Sequence, residues 1–126
     1  MKDWNVLLVD DEEDFVDTLR ERLSIRDIPC RMALDAKAGL TALAEGPVDV
    51  VVLDMFMPGM NGLEMLGRIK ELYPMVQVIL LSGQGDSRDG REGMKLGAFD
   101  YMVKPLSLDE LIGKIGEAVK AARGAA

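Results

Sequence analysis

Asp10 and Asp11, Asp54, Ser82 and Lys104 share one feature: each closes a short apolar run. The runs are NVLLV before Asp10, VVVL before Asp54, VQVILL before Ser82 and FDYMV before Lys104. Short continuous apolar runs read as strands buried on both faces. A carboxylate at the end of such a strand is either a place where the chain meets water or a group held for chemistry. Three carboxylates within a few ångströms raise one another's pKa unless a cation neutralises them. The chain has no His and one Cys, which removes Ser-His catalysis and the usual zinc sites. The physical expectation is therefore an all-oxygen Mg²⁺ site. A carboxylate in that setting can act as a nucleophile toward phosphorus and form an aspartyl phosphate. The Ser82 hydroxyl and the Lys104 ammonium suit the incoming phosphoryl oxygens, one as a donor and one as a compact counter-charge.

The elements that must position these groups follow from periodicity. Asn5 to Val9, Pro29 to Leu34, Val48 to Leu53, Val76 to Leu81 and Phe99 to Val103 read as five strands. Helical spacing of apolar residues predicts helices from about Glu12 to Ile25, Ala36 to Ala44 and Leu63 to Leu72. A glycine-studded helix is expected over roughly Asp86 to Leu96, and a last one from Leu108 to about Arg123. Strict alternation implies a parallel sheet covered on both sides: a doubly wound, three-layer α/β sandwich of the flavodoxin-like kind. In such sheets ligands bind beyond the carboxyl ends of the strands, where four different strands deliver these five polar groups. Each has a plain structural role as well. Asp10 or Asp11 can cap the next helix, with Glu12 and Glu13 favouring its positive end. Asp54 and Ser82-Gly83 can be turn residues, and Lys104-Pro105 a surface connection. Those plain roles would have to coincide at the same end of four strands.

Bulk properties narrow the classes. A chain of 126 residues, 48% hydrophobic and 29% charged, is expected to form one globular domain over 1–126, with an ordered core of about 4–123 and a tail at 124–126. Its net charge of −7 argues against a nucleic-acid surface. One cysteine, Cys30, allows no intrachain disulfide, and a cytoplasmic, reducing location is expected, with Cys30 a buried structural thiol. The N-terminal apolar run is too short for a signal peptide or membrane span.

Together, Asp10-Asp11, LDMFMPGMNG (53–62), Ser82-Gly83 and YMVKP (101–105) resemble a CheY-like response-regulator receiver domain over essentially the whole chain. The resemblance implies two-component signalling, in which a histidine kinase or histidine phosphotransfer protein phosphorylates Asp54. It implies Mg²⁺ held by Asp10, Asp11, Asp54 and the backbone carbonyl of Phe56. Ser82 would be the switch hydroxyl, Lys104 the phosphate contact, Tyr101 the aromatic switch, and Lys104-Pro105 a candidate cis bond. The domain would promote only its own phosphorylation and dephosphorylation, not turn over an external substrate. Phosphorylation would alter the face of the fourth helix, fifth strand and fifth helix for a partner or output domain. Receivers commonly dimerise through that face, and these residues leave the oligomeric state, the effector and the presence of a further domain open.

Two features depart from the resemblance. Phe56 puts an apolar ring two residues after the phosphoacceptor, where it would shield the acyl phosphate from water, with Gln84 flanking the same entrance. Gly90 and Gly93, with Gly83, Gly85 and Gly97 nearby, make the fourth helix either marginal or dependent on tertiary packing. Competing readings are a pseudo-receiver that binds protein without phosphorylation, a metal-dependent phosphohydrolase and a flavin-binding protein. The intact acids, Ser82 and Lys104 argue against the first. Phe56 stands where a phosphohydrolase of the haloacid-dehalogenase type needs its second acid. DDEED would repel the phosphate of a flavin.

Overall fold

The structure, a computed structural model, describes residues 2–83 and 87–124. Strands β1 (Val6–Val9), β2 (Cys30–Ala33), β3 (Val50–Asp54), β4 (Gln77–Ser82) and β5 (Asp100–Val103) alternate with five helices. These are α1 (Glu13–Ile25), α2 (Ala36–Glu45), α3 (Gly62–Leu72), α4 (Ser87–Lys95) and α5 (Leu108–Ala122). The strands form one parallel sheet in the order β2-β1-β3-β4-β5. This is the doubly wound, flavodoxin-like sandwich that the alternation predicts.

Period-two alternation along the strands builds two separate cores. Leu7, Val9, Val51, Leu53, Val78 and Leu80 point to one side, where they meet Leu43 of α2 and Met65, Leu66 and Ile69 of α3. Val6, Leu8, Val50, Val52, Ile79, Leu81 and Met102 point to the other, against Val16, Leu19 and Leu23 of α1 and Leu111, Ile115 and Val119 of α5. Each fully buried aliphatic side chain contributes about 1.5–3 kcal/mol, which lets the sheet carry polar groups at its ends. Asp35, Asn61 and Ser107 cap α2, α3 and α5 through their side chains, and Asn61 forms a reciprocal capping box with Glu64. Glu12, at the corresponding position of α1, makes no side-chain capping bond.

Several strands are shorter than their apolar runs, for identifiable reasons. Val76 is buried, but its N–H bonds to Tyr73 O at 3.0 Å in a turn rather than to a neighbouring strand. The N–H of Asn5 goes to the Asp49 carboxylate at 3.0 Å. Cys30, expected to be buried, is half-buried, and burial pushes its thiol up to about 12, so it stays protonated. Among the described residues, no helix is long and apolar enough to cross a membrane.

The glycines of α4 have a packing reason. A β-carbon on Gly90 would lie 2.5 Å from the Tyr101 ring, and one on Gly93 would lie 2.1 Å from Leu80 Cδ1. The helix thus rests directly on β4 and β5. Gly97, at φ +103°, supplies the left-handed turn that leads into β5. Gly85 lies outside the described residues.

Candidate functional site

Strand register alone assembles the site. Val9 pairs with Leu53, so the next residues, Asp10 and Asp54, arrive side by side. Asp54 pairs with Leu81, which sets Ser82 one step beyond it. Ser82 pairs with Val103, so Lys104 comes next, its N–H bonded to Ser82 O at 2.8 Å. Asp10, Asp54 and Ser82 are the buried polar residues at this end of the sheet, 2%, 4% and 3% exposed.

Lys104 organises the acids. Its Nζ donates to Asp10 Oδ2 at 3.0 Å and to Glu12 Oε1 at 3.2 Å, and lies 3.6 Å from Asp54 Oδ1. The ammonium also sits 4.3 Å from the centroid of the Phe15 ring, a cation–π contact from α1. Burial lowers the Lys104 pKa, but bonding to Asp10 and the nearby charges outweigh it, so the amine is held above its ordinary value and stays charged. Asp54 moves the opposite way from an ordinary ion-paired acid. Burial and then the Asp10 charge push it up to about 6, against the opposing pull of Lys104 and the Phe56 N–H. A buried carboxylate beside another is costly to ionise, and a cation offsets that cost.

Carboxylate oxygens of Asp10, Glu12 and Asp54 lie within 4.8 Å of one another. Three hard oxygen donors, with no imidazole or thiolate among them, fit Mg²⁺ by donor chemistry. Asp11 is not in this tight group; it is exposed, and its charge adds only a minor push to Asp54. Glu12 is the residue that sequence reasoning missed. Its place at the helix's positive end already accounts for an acid there, and only its contact with Lys104 shows a second role. Its backbone N–H bonds to Asp10 Oδ1 at 2.9 Å, which orients that carboxylate. Phe15 of α1, whose ring faces the Lys104 ammonium, is another.

The loop after Asp54 is held by backbone. Met55 N–H bonds to Leu81 O and Gly62 N–H to Met55 O, each at 2.9 Å. A β-carbon on Gly62 would lie 2.5 Å from Met55 Cα and 2.7 Å from Asp54 O, so the start of α3 is pressed against the acid's own backbone. Phe56 N–H points to Asp54 Oδ1 at a long 3.5 Å, while its ring is 59% exposed. Tyr101 is half-buried with its ring against Gly90. The Lys104-Pro105 bond is cis. Gln84 lies outside the described residues.

The profile of the response regulator receiver domain family matches residues 6–116. The transcriptional regulatory protein KdpE of Mycobacterium tuberculosis is 36% identical over 115 residues, covering 91% of this chain and 50% of that protein. An NtrX-like response regulator of Rickettsia bellii is 38% identical over 110 residues, covering 86% of this chain and 23% of that protein. The chain therefore spans half or less of the length of these relatives. Among solved structures, a response regulator receiver domain protein from Clostridium thermocellum superposes with a TM-score of 0.90 at 32% identity, covering 95% of this chain and 97% of that one.

Proposed function

The chain belongs to the response-regulator receiver family, whose general role is phosphorylation signalling, and from that premise we propose that it is a phosphorylation-dependent switch with Asp54 as the phosphoacceptor. The observation that carries this reading is the convergence of Lys104 on Asp10 and Asp54 at the carboxyl end of the sheet. Mg²⁺ would be held by Asp10, Asp54 and the Phe56 carbonyl, with Asp11 and Glu12 as the remaining acids at hand. Bound there, the cation would neutralise the acids and the charge of the phosphoryl group.

A histidine kinase or histidine phosphotransfer protein is the proposed donor. An oxygen of Asp54 attacks phosphorus, the N–P bond of the donor's phosphohistidine breaks, and the imidazole leaves with a proton from solvent. Lys104 donates to the phosphoryl oxygens, and the Ser82 hydroxyl donates to another. In the proposed switch, movement at Ser82 reaches Tyr101, whose ring packs on α4, so the face of α4, β5 and α5 becomes the readout for an effector or output domain. Self-catalysed gain and loss of the phosphoryl group is the only chemistry assigned.

The test is incubation with Mg²⁺ and acetyl phosphate, followed by intact mass of wild type and Asp54→Ala. A single phosphoryl adduct in wild type alone is expected. No adduct, together with no spectral response to beryllofluoride, would overturn the proposal and favour a pseudo-receiver.

A further inference from the structure

Helix α2 carries its charges against its own dipole. α1, α3 and α5 each have acids in the first turn and a base in the last, matching the partial charges at a helix's ends. α2 has neither; Lys37 stands in its first turn and Glu45 is its last residue. Both are exposed, and neither enters an ion pair among the described residues. In an isolated copy each charge faces a like partial charge, which is mildly unfavourable. A neighbouring helix of opposite direction reverses the sign, since its negative end meets Lys37 and its positive end meets Glu45.

The exposed face of α2 is also symmetric about Thr41. Counting three residues out from Thr41 reaches Ala38 one way and Ala44 the other; counting four reaches Lys37 and Glu45. All five are exposed, and Lys37, Thr41 and Glu45 form one ridge along the helix. Small Ala38 and Ala44 beside that ridge let a second backbone approach closely. An open groove lies on each side of it, about 840 Å³ toward β2 and about 680 Å³ toward α3, the latter lined by Leu40, Pro58 and Met60. A ridge with a groove beside it is self-complementary: two copies interdigitate when related by a two-fold axis.

We propose that a second copy of this chain docks on α2, with the two α2 helices antiparallel and Lys37 of each copy beside Glu45 of the other. An interface centred on one helix of 10 residues is small, so the dimer is weak and exchanges rapidly. β2 and β5 are the outer strands of the sheet, so the contact leaves the face of α4, β5 and α5 free. It requires no phosphoryl group.

Sedimentation equilibrium at physiological ionic strength, with no phosphoryl donor, compares wild type, Lys37→Glu, Glu45→Lys and an equimolar mixture of the two variants. Wild type is expected to dimerise at concentrations below about 1 mM. Each reversal should weaken the dimer roughly tenfold or more, because two attractive contacts become repulsive. The reversals move the net charge in opposite directions, so weakening by both does not come from overall repulsion. Each also brings α2 into accord with its dipole, so neither should harm folding. The mixture should regain the wild-type dimer fraction, since the mixed dimer holds one native pair and one pair with both charges reversed. Wild type that stays monomeric at about 1 mM, a dimer insensitive to either reversal, or variants that stay apart on mixing would each overturn the proposal.

Discussion

Asp54 is held where burial and Asp10 make its ionised form expensive, and that cost can be measured. Its folded-state pKa of about 6 lies above the ordinary carboxylate value of 3.8. Between those values the folded chain holds a proton that the unfolded chain has lost, so this group's contribution to stability falls as pH rises from about 4 to 6. In the ion-free protein, Asp54→Asn should therefore raise the thermal unfolding midpoint at pH 7.5, by stability on the order of 2 kcal/mol, and leave it nearly unchanged at pH 4. An equal effect at both pH values would show that burial of charge is not the cause. Phe56 makes a second residue-scale prediction. It follows the acid by two residues, and its exposed side chain offers no polar atom to orient water, so Phe56→Asn should shorten the phosphoryl half-life several-fold. A half-life unchanged or lengthened in a decay assay by intact mass would reject shielding. Asp54 and Lys104 were legible in the sequence because each interrupts an apolar run at its end. Glu12 was not, since an acid at a helix's start already has an electrostatic reason to be there, and only its side-chain contact reveals its reach to Lys104.

At the scale of elements, helix α4 separates two uses of glycine. Gly93 and Gly90 face Leu80 and Tyr101 at distances that admit no β-carbon, whereas Gly113 on α5 is exposed with nothing near it. Alanine gains about 0.5–1 kcal/mol of helix propensity at any of these sites. At Gly113 that gain should appear whole, as greater stability in denaturant unfolding. At Gly93 the forced shift of a buried leucine, costing about 1–3 kcal/mol, should exceed it and leave a net loss of up to about 2.5 kcal/mol. Stabilisation by Gly93→Ala would mean that α4 does not rest on β4 as described. The sequence left the helix's glycines as either weakness or packing, because a pattern of residues carries no interelement distance. It did reveal the alternation of elements, since both periods are written in the apolar residues. The strand ends were less legible: Val76 is as apolar as its strand neighbours, yet its N–H is spent on a turn.

Over the whole molecule, the two cores clamp one sheet while all the candidate chemistry stands at one of its ends. The opposite end is tied by Arg123, which bonds to Asp49 at 2.8 Å and to the backbone of Asp3 at 2.8 Å, joining the end of α5 to the start of the sheet. This division keeps the stabilising contacts away from the groups proposed to rearrange. It also makes the central claim specific to one carboxylate among several at the same edge. That claim is tested most directly by loading the protein with acetyl phosphate and Mg²⁺, reducing it with borohydride, and mapping the peptides by mass. Borohydride converts a phosphorylated aspartate to homoserine and leaves free aspartates untouched. The account predicts homoserine at position 54 and at no other aspartate. Homoserine at Asp10 or Asp11 with none at 54 would contradict it.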